Sequence, residues 1–169
     1  MDHIITIGNK PYKITASAGV LVHYKSEFGT DYIEDSKRLA EDDNAEAEQY
    51  AIVGTQFLWA MAKTADMNIL PYTEWVLNLG EFDLEAALSE AQELFAQSLS
   101  SISEHVESGN TEPLTAEKLI AYSALCGMKL ADLDKLPLSM VLKTIRHYVH
   151  IKYGGQEERE AVQEDYDNF

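Results

Sequence analysis

The first thirty residues change from an alternating pattern to a helical one, and this change constrains the fold more than any other feature. Residues 4–15 alternate apolar and polar side chains on both sides of Gly8-Asn9-Lys10-Pro11, a pattern typical of a β-hairpin. From Ser17 the apolar residues recur three and four apart, which predicts a helix that Ser17 caps and Gly29 ends. Two strands alone are marginal in water, so we expect the hairpin to pack on this helix.

The apolar face of the hairpin is better determined than its register. A four-residue turn at 8–11 pairs Ile7 with Tyr12, whereas a two-residue turn at 8–9 pairs Ile5 with Tyr12. Both registers leave the same apolar face, which comprises Ile5, Ile7, Tyr12 and Ile14.

The charge of the chain is large and unevenly distributed. The 169 residues carry a net charge of −16, which disfavours nucleic-acid binding because phosphate contacts need Lys and Arg. Residues 31–48 hold eight acids and two bases, and residues 156–169 hold six acids and one base. Residues 114–154 reverse the balance, with six bases and three acids. This asymmetry suits either a solvated surface or a basic docking segment flanked by acids.

A series of helices is predicted after the hairpin. Residues 30–44 are polar and predict a loop or a short exposed helix, and residues 46–65 predict a central helix that is apolar almost all round. A short helix is expected at 71–79, and Asp83 is expected to cap a long helix whose apolar stripe runs from Leu84 to Val106. That stripe suits either core packing or a groove for a partner. We expect Trp59 and Trp75 to be core anchors.

The best linker, at 108–113, lies where the charge balance changes. We therefore predict a body at 1–110, a helical extension at 111–155 and an acidic, mobile tail at 156–169. Within the extension, Thr115 is expected to cap a helix that ends before Gly127, a helical turn follows at 128–136, and a last helix ends at Tyr153. The predicted fold class is α+β, mainly α: a hairpin packed on a helical bundle, followed by a small helical subdomain.

No catalytic or metal-binding motif is present in the sequence, so we predict neither an enzyme nor a cofactor. His147 and His150 are three residues apart but lack a third ligand nearby, and Cys126 has no activating partner, so we expect an inert thiol. No segment is apolar enough to span a membrane. The candidate partner-binding residues lie on the polar side of the last helix and are Lys143, Arg146, His147, His150 and Lys152.

Two segments resemble the tail assembly chaperones of long-tailed phages and prophages. The start, I-x-I-x-GNKPYKI followed by a helix that closes on YKSEFGTD, is similar to the opening of that family. The segment beginning LTAEKLI at Leu114 is similar to the carboxy-terminal extension of its long form, which often arises by a programmed frameshift. Asn9 and Pro11 around the turn depart from the family pattern.

The resemblance implies a protein that binds the tape measure protein, keeps it soluble and recruits tail tube subunits. It implies a location in the host cytoplasm and absence from the mature virion. Homo-oligomerisation remains open. Two alternatives come from other classes: a structural head–tail or tail component that stays in the particle, and an acidic regulator that binds a basic host protein.

Overall fold

The chain folds into a two-stranded hairpin and a set of helices, in the α+β, mainly α class that the sequence predicts. The structure, a computed structural model, describes residues 2–42, 46–99 and 114–153. Its elements in chain order are β1 (Asp2–Ile7), β2 (Lys10–Thr15), α1 (Gly19–Phe28), α2 (Tyr32–Glu41), α3 (Ala47–Ala65), α4 (Tyr72–Leu77), α5 (Leu84–Leu99), α6 (Ala116–Leu125), α7 (Leu130–Leu133) and α8 (Leu138–Tyr153).

The hairpin has the two-residue turn. β1 and β2 are antiparallel with Ile5 opposite Tyr12, and the predicted apolar face is confirmed because Ile5, Ile7 and Ile14 are buried. Gly8 adopts φ 64°, and a Cβ there would lie 1.9 Å from the carbonyl oxygen of Leu79. The turn therefore lies directly against the end of α4, and a residue with a side chain would not fit at Gly8.

The predicted N-cap of α1, Ser17, is wrong by one residue, whereas the predicted end of the helix is confirmed. The helix begins at Gly19, and Ala18 occupies the N-cap position without a side-chain hydrogen bond. The backbone N–H of Ala18 donates to the carbonyl oxygen of Leu136 (3.0 Å). A tertiary hydrogen bond is therefore made at the start of the helix, where a serine cap was expected. Gly29 ends the helix in the left-handed conformation, φ 75°.

The core is built around α3, as predicted, but only from Gly54 onward, because Tyr50 and Ile52 in its first turns are exposed. Helix α3 packs against β2, α1, α2 and α5, and its residues Phe57 and Met61 are fully buried. Tyr32 stacks on Phe57 with ring centroids 4.1 Å apart. Both tryptophans are buried, which confirms their prediction as core anchors.

The connecting helices follow the prediction with two adjustments. Helix α2 forms within 30–44 but is not simply exposed, because Asp35 and Leu39 are buried. Helix α4 is shorter than predicted. Asp83 does cap α5, since its Oδ1 accepts the Ala86 N–H at 3.0 Å.

The three C-terminal helices share the core of the hairpin and body. Thr115 caps α6 as predicted, accepting the backbone N–H of Lys118. Four buried apolar side chains of this segment belong to the same cluster as Ile5 and Phe57, and they are Leu119, Leu133, Leu138 and Val141. The predicted linker at 108–113 and tail at 156–169 lie outside the described residues, and the division into a body and an extension stays a prediction.

Candidate functional site

A recess lies on the surface between α3 and α5. It has a volume of about 790 Å³. Its α3 wall is formed by Ala47, Tyr50 and Ala51, and its α5 wall by Leu84, Glu85, Leu88, Ser89 and Gln92. Tyr50 is about half exposed (48%), so an aromatic side chain is available to a partner here. We call this recess the α3–α5 groove.

Two smaller recesses extend the groove toward α2. One of about 260 Å³ shares Tyr50, Leu88 and Gln92 with the groove and reaches Leu39 of α2. The other small recess, of about 330 Å³, shares Leu39 with the 260 Å³ recess and is bordered by the exposed side chain of Ile52. The three recesses share lining residues across α2, α3 and α5, and the two that include Leu88 are mainly apolar, as a surface that accepts an amphipathic helix is.

Two contacts give the groove its shape. Gly54 allows α5 to approach α3, because a Cβ at Gly54 would lie 2.4 Å from Cδ1 of Leu88. The Tyr50 hydroxyl donates to the carbonyl oxygen of Leu39 at 2.7 Å, which satisfies an acceptor near the C-terminal end of α2. Neither contact could be inferred from the sequence, because each joins residues on different helices.

A buried carboxylate holds α2, which forms one wall of the two smaller recesses, in place. Asp35 accepts hydrogen bonds from Thr30 Oγ1 (2.6 Å) and Arg38 Nη2 (3.0 Å), and its Oδ2 lies 2.9 Å from the Tyr24 hydroxyl. That hydroxyl also lies 2.9 Å from Oε1 of Gln56. Burial, followed by the hydrogen bond to Asp35, raises the pKa of Tyr24 well above its usual value. The network therefore fixes α2 relative to α1 and α3 with the tyrosine neutral.

The groove belongs to the most acidic part of the described chain. Residues 46–99 carry nine acids and one base, Lys63, for a net charge of −8. Glu85 lines the groove itself, and Glu46 and Glu48 flank Ala47 in the chain. An apolar surface with acidic neighbours favours a partner helix that carries basic residues beside its apolar face.

The structure places four of the five predicted partner-binding residues on one side of α8. Lys143, Arg146, His147 and His150 are spaced by three and four residues and are all exposed. Among the described residues, neither Lys143 nor Arg146 forms a salt bridge. We call these four residues the α8 stripe.

Lys152 does not belong to the α8 stripe. It follows Lys143 by nine residues, which is about 180° around the helix at about 100° per residue. Its Nζ lies 2.8 Å from the Tyr148 hydroxyl, on the same helix. The five predicted partner-binding residues therefore divide into the four-residue α8 stripe and Lys152, which lies on the opposite side of the helix.

The segment that carries the stripe is attached to α1 and to the N-cap residue of α2 through polar contacts that the sequence did not reveal. Buried Asp31 accepts the backbone N–H of Ala116 through Oδ1 (2.7 Å) and the Lys25 amine through Oδ2 (2.8 Å). Lys25 also lies 3.2 Å from Glu117. The bond to Asp31, then that to Glu117, raises the pKa of Lys25.

A second attachment point joins the other end of α1 to α7. His23 Nε2 and Asp134 Oδ1 are 3.0 Å apart, and a Cβ at Gly19 would lie 2.9 Å from Cα of Asp134. No pattern in the sequence around Asp31 or Asp134 distinguishes either residue from a surface acid.

The described residues hold no group of three His, Cys, Asp or Glu side chains that could bind a metal ion. Within the same ranges, no helix has the length and hydropathy needed to cross a membrane. Cys126 is half-buried.

Comparison with known proteins adds no relative. No family model matches the chain, and neither a curated protein nor a solved structure shows significant similarity to it.

Proposed function

We propose that this protein is a tail assembly chaperone of a long-tailed phage or prophage. It binds the tape measure protein, keeps it soluble in the host cytoplasm and recruits tail tube subunits before it leaves the assembling tail. The work is binding and release, so the proposal includes no reaction and no cofactor.

The observation that carries the proposal is the α3–α5 groove. A tape measure protein is a long helical chain whose apolar faces associate when they are exposed. The groove offers such a face Tyr50 and Leu88 together with an acidic surround, and helix-in-groove binding buries both apolar surfaces. The negative charge of the chain would also keep the complex soluble.

The α8 stripe is assigned to the second partner, the tube subunit. Lys143 and Arg146 lie on a net positive segment, whereas the groove lies on a net negative one. Two surfaces of opposite charge favour two different partners, and each surface disfavours the partner of the other.

Coexpression tests the first part of the proposal. The tape measure protein is expressed with and without this chain, and its soluble fraction is measured after centrifugation. The proposal predicts a large increase in the soluble fraction, and equal insolubility in both cases would overturn it.

A pair of variants locates the binding surface. Ser89 is exposed and lines the groove, so Ser89→Arg should place bulk and positive charge there and reduce the soluble fraction. Gln97→Arg makes the same change on the same helix, at an exposed position that does not line the groove, and should behave as the unmodified chain. If both variants lose activity equally, the groove is not the binding surface.

A second pair of changes tests the stripe. Replacing Lys143 and Arg146 by Glu should weaken the capture of tube protein in a pull-down and leave tape measure binding intact. Unchanged capture of tube protein would refute the assignment of the stripe.

A further inference from the structure

We propose that the acidic segment 156–169 binds back onto the α8 stripe of the same molecule and covers it until a partner displaces it. This goes beyond the chaperone function, because it concerns the free protein and would hold whatever the partner is. The proposed occupant is a segment of this chain, and its net charge is opposite in sign to that of the stripe.

The charges of the chain select this surface for the segment. Among the described ranges, residues 2–42 carry −2 and residues 46–99 carry −8, whereas residues 114–153 carry +3. Residues 156–169 hold six acids and one base, Arg159, for a net charge of −5. The segment is therefore repelled by the acidic body and attracted by the part of the described chain that is net positive.

The stripe offers cations that have no anionic partner among the described residues. Lys143 and Arg146 are exposed and form no salt bridge there. His147 and His150 complete the stripe with donors that can bind a carboxylate. An arginine beside a lysine is well suited to carboxylates, since its planar donors bind them in a bidentate manner.

The length of the chain allows the contact. Tyr153 ends α8 ten residues after Lys143, which is about 15 Å along the helix axis. The acids at 157–165 begin four residues after Tyr153, and an extended chain covers about 3.3 Å per residue. Gly154 and Gly155 precede them, and glycine readily adopts the backbone angles of a tight reversal. A chain that turns there can reach Lys143 with residues to spare.

Tethering makes a weak contact effective. Exposed ion pairs are individually weak in water, but a short tether holds the acids at an effective concentration in the millimolar range. An acidic partner must then compete with the segment for Lys143 and Arg146. The segment would act as an internal competitor that rejects weak acidic ligands.

The test measures the rate at which an acetylating reagent modifies Lys143 in the full chain, by mass spectrometry. The comparison variant keeps the full length and replaces six acids by their amides, which are Glu157→Gln, Glu158→Gln, Glu160→Gln, Glu164→Gln, Asp165→Asn and Asp167→Asn. Lys37, exposed on α2, is the internal control. Circular dichroism checks that the variant is folded.

We expect Lys143 to react about three- to tenfold faster in the amide variant, with Lys37 unchanged. A carbodiimide should also join Lys143 to a carboxylate of 156–169 with a yield that does not depend on protein concentration. Equal rates for Lys143 in the two proteins would overturn the proposal. A cross-link that forms only between two molecules, with a yield that rises with concentration, would also overturn it.

Discussion

Replacing Asp31 tests whether one carboxylate fastens the C-terminal helices to the body. The side chain is buried (6% exposed), and its Oδ1 lies 2.7 Å from the backbone nitrogen of Ala116. Asp31→Ala leaves that N–H, at the start of α6, without its acceptor. A hydrogen bond to a charged group is worth about 1.5–3 kcal/mol, so we expect Asp31→Ala to lower the free energy of unfolding by about 2–3 kcal/mol.

The matched variant is Asp31→Asn, which keeps an oxygen for the Ala116 N–H and removes the charge that faces Lys25. Because a neutral acceptor is weaker, we expect a loss of about 1 kcal/mol. Urea unfolding followed by circular dichroism measures both losses, with the denaturant slope as a check on two-state behaviour. Hydrogen exchange should show the largest loss of protection in α6 for Asp31→Ala. Equal losses for the two variants, or a loss below about 0.5 kcal/mol for Asp31→Ala, would refute the reasoning.

Further predictions concern single positions and can be checked by the same unfolding measurement. Gly19→Ala should lower the free energy of unfolding by about 1–3 kcal/mol, because the new Cβ would meet the backbone of Asp134. Gly54→Ala should lower it less, since the atom that its Cβ would meet is the end of a leucine side chain. Equal losses for the two variants would contradict this. Tyr24→Phe should cost about 1–3 kcal/mol by removing a buried hydroxyl from its carboxylate and amide partners, and an unchanged midpoint would contradict it. A hydrogen bond from its own backbone N–H, followed by that with Lys25, lowers the pKa of the Glu117 carboxyl below its usual value. The ionised carboxylate therefore stabilises the folded state at pH values above the usual carboxyl range, and this stabilisation is lost as the pH falls through the lowered pKa. The stability difference between wild type and Glu117→Gln should therefore shrink on acidification, and a constant difference from pH 6 to pH 3 would contradict this.

The hairpin shows where sequence reasoning succeeds and where it stops. Alternation identified the buried face of Ile5, Ile7 and Ile14, because side-chain direction along a strand depends only on the period. The register depended on the turn, and two turns fitted the same pattern. The contact that accompanies the shorter turn, between Gly8 and the Leu79 carbonyl, joins residues that are far apart in the chain, so no local pattern could reveal it.

The candidate surfaces show the same division. The sequence prediction placed Lys152 on the same side of the last helix as Lys143 and Arg146, but nine residues of helix put Lys152 on the opposite side from Lys143. The groove required the relative placement of α3 and α5, of which the sequence indicated only that the α5 stripe could serve either the core or a partner. In the structure Ala91 and Phe95 of that stripe are buried in the core, whereas Leu84 and Leu88 line the groove.

The two proposed surfaces differ in physical character, so added salt should separate them. Binding at the α8 stripe depends on exposed cations, and charge attraction between exposed groups is screened within about 8 Å at physiological ionic strength and about 3 Å at 1 M salt. Binding in the α3–α5 groove buries Tyr50 and Leu88, and the gain from apolar burial is not weakened by screening. Raising the salt from 0.1 to 1 M should therefore reduce tube-protein capture several-fold while tape measure binding falls much less. Equal salt sensitivity of the two would show that the groove, too, binds mainly through its acidic surround and that its apolar lining contributes little.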